Sequence, residues 1–153
     1  MTSAAPVKPS YLGLLNAIAL AESRAGVYLR AWAAVTPNDD LRACLTTVAK
    51  RETSHGEVFQ RRIEELGFSL LEREDAKFEQ TLAKLGAADI SDLEKVRRED
   101  QDEGADPFGP IELQLDDGIF DPLTALLLRW YIAEERDSTA LAKAAYAAVR
   151  ARG

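Results

Sequence analysis

Apolar residues recur at three- and four-residue spacing over most of the first 66 residues, and that period commits the chain to helix. From Tyr11 to about Val35 the stripe runs through Leu15, Ile18, Ala25, Leu29 and Trp32, in a segment rich in the strong helix formers Ala and Leu. Thr36-Pro37-Asn38-Asp39 then reads as a turn, because proline steers the residue before it away from helix and Asn or Asp can cap the next one. A second stripe, Leu41, Leu45, Val48, Phe59, Ile63 and Leu66, stops at Gly67. Two such stripes joined by a short turn make a helical hairpin. A third pattern opens at Asp121-Pro122, a cap followed by proline in the first turn, and runs to the C-terminus for about eight turns. The expectation is an all-α, antiparallel helix bundle with helices near 10–36, 39–66 and 122–151.

The middle is less regular. Leu71 to Leu85 and Ser91 to Glu103 read as helices broken at Gly86-Ala87-Ala88, residues 104–121 as an acidic loop, and residues 1–9 as a flexible N-terminus. At 153 residues the expectation is one domain, 1–153, able to bury a core without staples. The single cysteine, Cys44, excludes an intrachain disulfide and any Cys-rich metal site, leaving carboxylate and imidazole as the strong ligands. A net charge of −7 repels polyanions, so no nucleic-acid partner is expected. LTALLLRWYIA is too short and too close to charge to span a bilayer, so no membrane association and a cytoplasmic location are expected.

The residues that interrupt the stripes carry the chemistry, since a carboxylate on a core face costs several kcal/mol unless paired, protonated or bound to metal. Glu22 falls between Ile18 and Ala25 on the first stripe; Glu52 and His55 fall between Val48 and Phe59 on the second. Residues three apart on a helix differ by about 60° and roughly 4.5 Å of rise, so Glu52 and His55 can address one ion, with Glu22 facing them across the hairpin. A plain structural role would have Glu22 or Glu52 pair with Arg24 or Arg51 and His55 hydrogen-bond within the core. Glu-x-x-His opposite a single Glu is half of the ligand set of di-iron carboxylate bundles.

With LAESRAGVYLRAWA followed by AKRETSHGEVFQRRIEELG, residues 11–67 resemble the first two helices of the rubrerythrin and ferritin-like family. The resemblance implies a ferritin-like four-helix bundle that binds two irons and reacts with dioxygen or peroxide. It covers the first hairpin well, the last helix moderately and the middle hardly at all. The chain departs from the family in lacking a rubredoxin domain and a second histidine: His55 stands alone. On the last helix Glu134 and Asp137 have the Glu-x-x-His spacing, with aspartate where histidine is expected, and Glu135 is an adjacent candidate. Leu127, Trp130, Glu134 and Leu141 make one stripe and Leu128, Tyr131, Glu135 and Ala142 the next, so the sequence does not choose between the two glutamates. By the same resemblance a further glutamate would come from Glu72, Glu74, Glu79, Glu94 or Glu99.

Two functions stand as expectations. One is a metal-binding oxidoreductase of ferroxidase or peroxidase type, with iron, as one ion or a di-iron pair, held by Glu22, Glu52, His55 and a last-helix carboxylate; manganese and zinc suit the same donors. Protons should compete with the metal below about pH 6. The other is a degenerate, metal-free helical module acting through protein–protein contacts. A homodimer would bring a second Glu22, Glu52 and His55 to a twofold axis. Trp32, Trp130, Tyr28 and Tyr131 read as core aromatics with no assigned chemistry.

Overall fold

The computed structural model describes residues 3–99, 104 and 106–153. Among them the secondary structure is entirely helical, with α1 Leu12–Val35, α2 Asp39–Glu65, α3 Phe78–Leu85, α4 Asp92–Glu99, α5 Gly109–Asp116 and α6 Pro122–Arg152. No helix among the described residues is long and apolar enough to cross a membrane.

The long helices begin and end where local chemistry dictates. The Asn38 side chain accepts from Leu41 N to cap α2, and Asp121 accepts from Thr124 N to cap α6, with proline in the first turn. Gly67, at φ 92°, lies just beyond α2; its N–H donates to Glu64 and that of Phe68 to Ile63, a Schellman close. Phe68 and Ile63 meet in the same apolar cluster.

The pairing of the helices follows from their contacts. Gly26 lies against Ala49 and Thr53, and Gly56 against Ser23 and Ala19, so α1 and α2 run antiparallel. Arg62 reaches Asp121 and Thr124, His55 reaches Glu134, and Arg51 reaches Asp137, so α2 and α6 are antiparallel too. Tyr11 to Asp121 and Glu22 to Tyr131 align α1 with α6 in parallel. Asp121 thereby ties the three long helices at one end, receiving Tyr11 Oη, Arg62 Nη2 at 2.9 Å and Thr124 Oγ1 at 2.6 Å.

The core has two parts. Leu15, Ile18, Phe59, Ile63, Phe120, Leu128 and Ile132 fill the Asp121 end. Trp32, Leu41, Leu45, Leu85, Val96 and Val149 fill the other. There α4 is fixed by Asp92, which accepts from Trp32 Nε1 at 2.9 Å and from Thr36 Oγ1 at 2.6 Å. In chain position, Glu22, Glu52, His55, Glu134 and Glu135 all lie between the two clusters.

The middle differs from the sequence expectation in two places. No helix runs from Leu71; it starts at Phe78, because the buried Asn16 amide takes both backbone groups of Leu71, accepting from its N–H at 2.7 Å and donating to its carbonyl at 3.0 Å. That clasp satisfies the peptide without helix. The expected loop 104–121 contains α5, whose Ile111 and Leu115 pack on the core and whose Glu112 binds Arg136 of α6 at 2.7 Å. Gly109-Pro110 reads as loop, but proline suits the first turn of a helix and the Glu112-Leu113-Gln114-Leu115 that follows is made of helix formers. Of the helix expected over 91–103, Asp92–Glu99 is helical and 100–103 lie outside the described residues. Residues 3–9 carry no helix, and Pro6 packs beside Gly67.

The close approach of α1 and α2 generates a test. A Cβ on Gly56 would sit 3.1 Å from Ser23 N and 3.2 Å from Ala19 O, whereas one on Gly13 meets nothing within 4 Å. Gly56→Ala should therefore lower stability by about 1–2 kcal/mol despite alanine's better helix propensity, as overpacking outweighs it. Gly13→Ala should raise stability by a few tenths to about 1 kcal/mol. Urea midpoints of the two variants check both signs, and an equal gain from both would disprove the tight helix contact.

Candidate metal centre

Three helices converge on one buried polar cluster. The Glu22–Gly26 turn of α1 lies against the Ala49–Gly56 stretch of α2, where the two glycines let the backbones approach closely. That approach puts Glu22 opposite Glu52 and His55; α6 closes the third side with Glu134 and Glu135. Glu22 and Glu52 are 7% and 6% exposed and His55 is wholly buried.

One ligand atom from each of Glu22, Glu52, His55 and Glu135 lies within 4.8 Å of every other. His55 Nδ1 is 3.1 Å from Glu135 Oε1 and 3.7 Å from Glu22 Oε2. All three of these buried atoms lack a hydrogen-bond partner. The opposite ring nitrogen, Nε2, lies 3.0 Å from Glu134 Oε1, where a ring N–H donates to the carboxylate. Tyr131 donates to the other oxygen of Glu22 at 2.7 Å. Trp130 and Tyr131 pack edge-on to the imidazole, with ring centroids 5.0 and 5.1 Å away.

The two last-helix glutamates thus take opposite nitrogens of one ring, an arrangement that the sequence left open. Asp137 is elsewhere: its carboxylate, largely exposed, binds Arg51 at 2.7 Å. The long arginine side chain reaches it from α2 and draws it away from the centre. The middle glutamates do not join the cluster either. Glu72, Glu74 and Glu79 line an outer groove beside α1, and Glu94 pairs with Arg98 at 2.8 Å. The two arginines that could have neutralised the site are engaged as well, Arg51 by Asp137 and Arg24 by the Arg73 carbonyl. Tyr131 is the functional residue that sequence reasoning passed over. Its signal was its place three and four residues before Glu134 and Glu135, which puts it on their face of α6.

The electrostatics follow from crowding. Burial, then the Glu22 and Glu135 carboxylates, push the Glu52 carboxyl up to about 11. Burial alone would lower His55, but the Glu135 and Glu22 carboxylates close to Nδ1 lift it to about 9. Burial raises Glu22 as well, yet the nearby His55 ring, the Glu52 carboxyl and the Tyr131 hydrogen bond outweigh it and hold this carboxyl below its usual value. Burial and the Glu22 carboxylate raise the Tyr131 phenol, keeping it a donor.

No protein-family model, curated protein or solved structure matches this chain.

Proton linkage gives the centre a measurable signature in the metal-free protein. The folded state keeps the His55 proton to about pH 9, while an unperturbed imidazole releases it near 6.5. Glu52 likewise holds a proton that the unfolded chain loses near 4.5. In both cases the folded state binds more protons, so stability falls as pH rises through this window. Chelator-treated protein should unfold at a lower temperature at pH 9 than at pH 6.5, and His55→Ala should flatten part of that slope. A melting temperature that rises over this range would contradict the assignment. The same groups move proton competition with a metal well above the pH 6 expected from an isolated histidine.

Proposed function

We propose that this chain is a ferritin-like, rubrerythrin-like metalloprotein whose centre binds a first-row transition ion, iron foremost, for iron oxidation or redox chemistry with dioxygen or peroxide. One observation carries the reading: Glu22 Oε2, His55 Nδ1 and Glu135 Oε1, from three different helices, are buried without a hydrogen-bond partner and gathered with Glu52 around one point. Buried polar atoms are rarely left unsatisfied in folded proteins, and a cation is the partner that three carboxylates and an imidazole share best.

In this reading Glu22, Glu52, His55 and Glu135 hold the ion. Iron bound there would supply redox electrons to an oxygen-containing substrate. Tyr131 fixes Glu22 by donating to its second oxygen. Trp130 and Tyr131 cover the imidazole with aromatic surface, Phe59 packs on Tyr131, and together they limit water at the ring. Glu135 and Glu134, 15% and 28% exposed in their side chains, form the most accessible edge of the cluster.

The metal-free helical module has one observation in its favour. Leu113, Ile119, Leu123 and Leu126, all exposed, lie on α5, on the start of α6 and on the turn between them. Exposed apolar residues gathered in one region of a chain suit a protein contact.

Metal analysis separates the readings. Chelator-stripped protein should take up ferrous iron saturably under anaerobic conditions. His55→Ala and Glu52→Ala should each weaken binding by more than the roughly 10–100-fold typical of losing an outer partner. Circular dichroism should show the helices intact in both. Equal uptake by wild type and His55→Ala, or no saturable uptake at all, would leave the metal-free module.

A further inference from the structure

We infer that the centre holds one metal ion per chain, and that Glu134 is the carboxylate orienting His55 toward that ion rather than a ligand. The inference rests on the metal-binding reading above and departs from the di-iron site that the family resemblance implies.

The four donor atoms lie within 4.8 Å of one another. Oxygen and nitrogen ligands sit about 2.0–2.2 Å from a first-row ion, so donors on opposite sides of a single ion are separated by roughly 4.0–4.4 Å. The cluster therefore needs only a small contraction to enclose one centre. Two ions about 3.5–4 Å apart need carboxylates that bridge them and terminal donors for each.

Three of the donors that a second ion would draw on are engaged elsewhere. Glu22 has Oε1 drawn toward the Tyr131 phenol at 2.7 Å, which leaves Oε2 as its oxygen without a hydrogen bond. Asp137, at the position where a second imidazole would stand, is held by Arg51 at 2.7 Å and is 61% exposed. Glu134 meets the far nitrogen of the His55 ring, on the side away from Glu22 and Glu135.

That last contact has a defined task. A proton on Nε2 that donates to Glu134 leaves the Nδ1 lone pair facing the three carboxylates. A carboxylate on the outer nitrogen of a ligating histidine fixes both tautomer and ring orientation. Glu134 and Glu135 are adjacent in sequence, so one turn of α6 supplies the orienting group and a ligand together.

The experiment uses the full chain, stripped with chelator and titrated anaerobically with ferrous iron and, separately, manganous ion, with bound metal counted per chain. Binding should saturate at one ion per chain, and the manganese form should give the hyperfine-split paramagnetic resonance signal of an isolated ion. Glu134→Ala should keep that stoichiometry but bind about 10–100-fold more weakly. Glu134→Gln keeps an acceptor oxygen for Nε2–H and should recover most of the affinity. Two ions per chain with an exchange-coupled manganese signal would overturn the inference and leave the metal-binding reading standing. Half an ion per chain, as a site shared across a twofold axis would give, would overturn it as well. Failure of Glu134→Gln to recover any affinity over Glu134→Ala, with helicity intact, would make Glu134 a ligand and overturn its orienting role. No saturable uptake of either ion would remove the metal-binding reading and this inference with it.

Discussion

At Gly26 and Gly56 the backbones of α1 and α2 come closer than side chains allow, and the rest of the molecule is arranged around that contact. Gly26 admits Thr53 and Gly56 admits Ser23, so each helix inserts a short polar side chain where the other has none. Ser23 and Thr53 in turn donate to the carbonyls of Ala19 and Ala49, four residues back on their own helices, and Thr53 also accepts from Arg30 of α1 at 2.9 Å. The result is an interface narrow enough that Glu22 meets Glu52 and His55 directly. A wider interface, filled by leucines, would have left these groups apart.

That narrowness creates an electrostatic problem which the chain does not solve with cations. Arg24 and Arg51 both sit one or two residues from a site glutamate, yet each bonds elsewhere. The buried carboxylates must therefore be stabilised by protons, by the imidazole, or by an ion. The raised Glu52 and His55 values are the proton solution, with the cluster neutralising itself from within. A metal displaces those protons and meets the same demand with one positive centre. The apolar clusters at either end add cohesion and flank the site, and Tyr131 belongs to both, packing in one cluster while it donates to Glu22.

The hairpin and the start of α6 were legible in sequence because they are set by local chemistry: Pro37 with Asn38, Gly67, and Asp121 with Pro122. Glu22, Glu52 and His55 stood out because they break apolar stripes whose direction is fixed by helical period. The last helix was ambiguous for a geometric reason. Adjacent residues point about 100° apart, so Glu134 and Glu135 straddle the inward direction, and both reach His55 because an imidazole offers two nitrogens. Asp137 had the right spacing, but spacing along one helix says nothing about an arginine waiting on another. Residues 69–77 were misread because a tertiary contact decides them, and α5 because its Gly-Pro start hid a short run of helix formers. Asn16, 55 positions away from Leu71, holds the first segment out of helix, while Leu115 docks α5 on the core.

Asp121 has a consequence for how this fold meets acid. Its carboxylate is partly buried, which alone would favour the neutral form, but Thr124, Tyr11 and Arg62 together hold it far below the ordinary carboxylate range. A group depressed in this way contributes stability that persists until the pH falls through its folded value. As acid is added, the solvated surface carboxylates lose their charge first and the surface grows steadily more positive. The junction of the three long helices keeps its anion throughout. Acid expansion of the chain should therefore begin at the outer elements and work inward, with the Tyr11, Arg62 and Asp121 knot the last part of the helix framework to loosen.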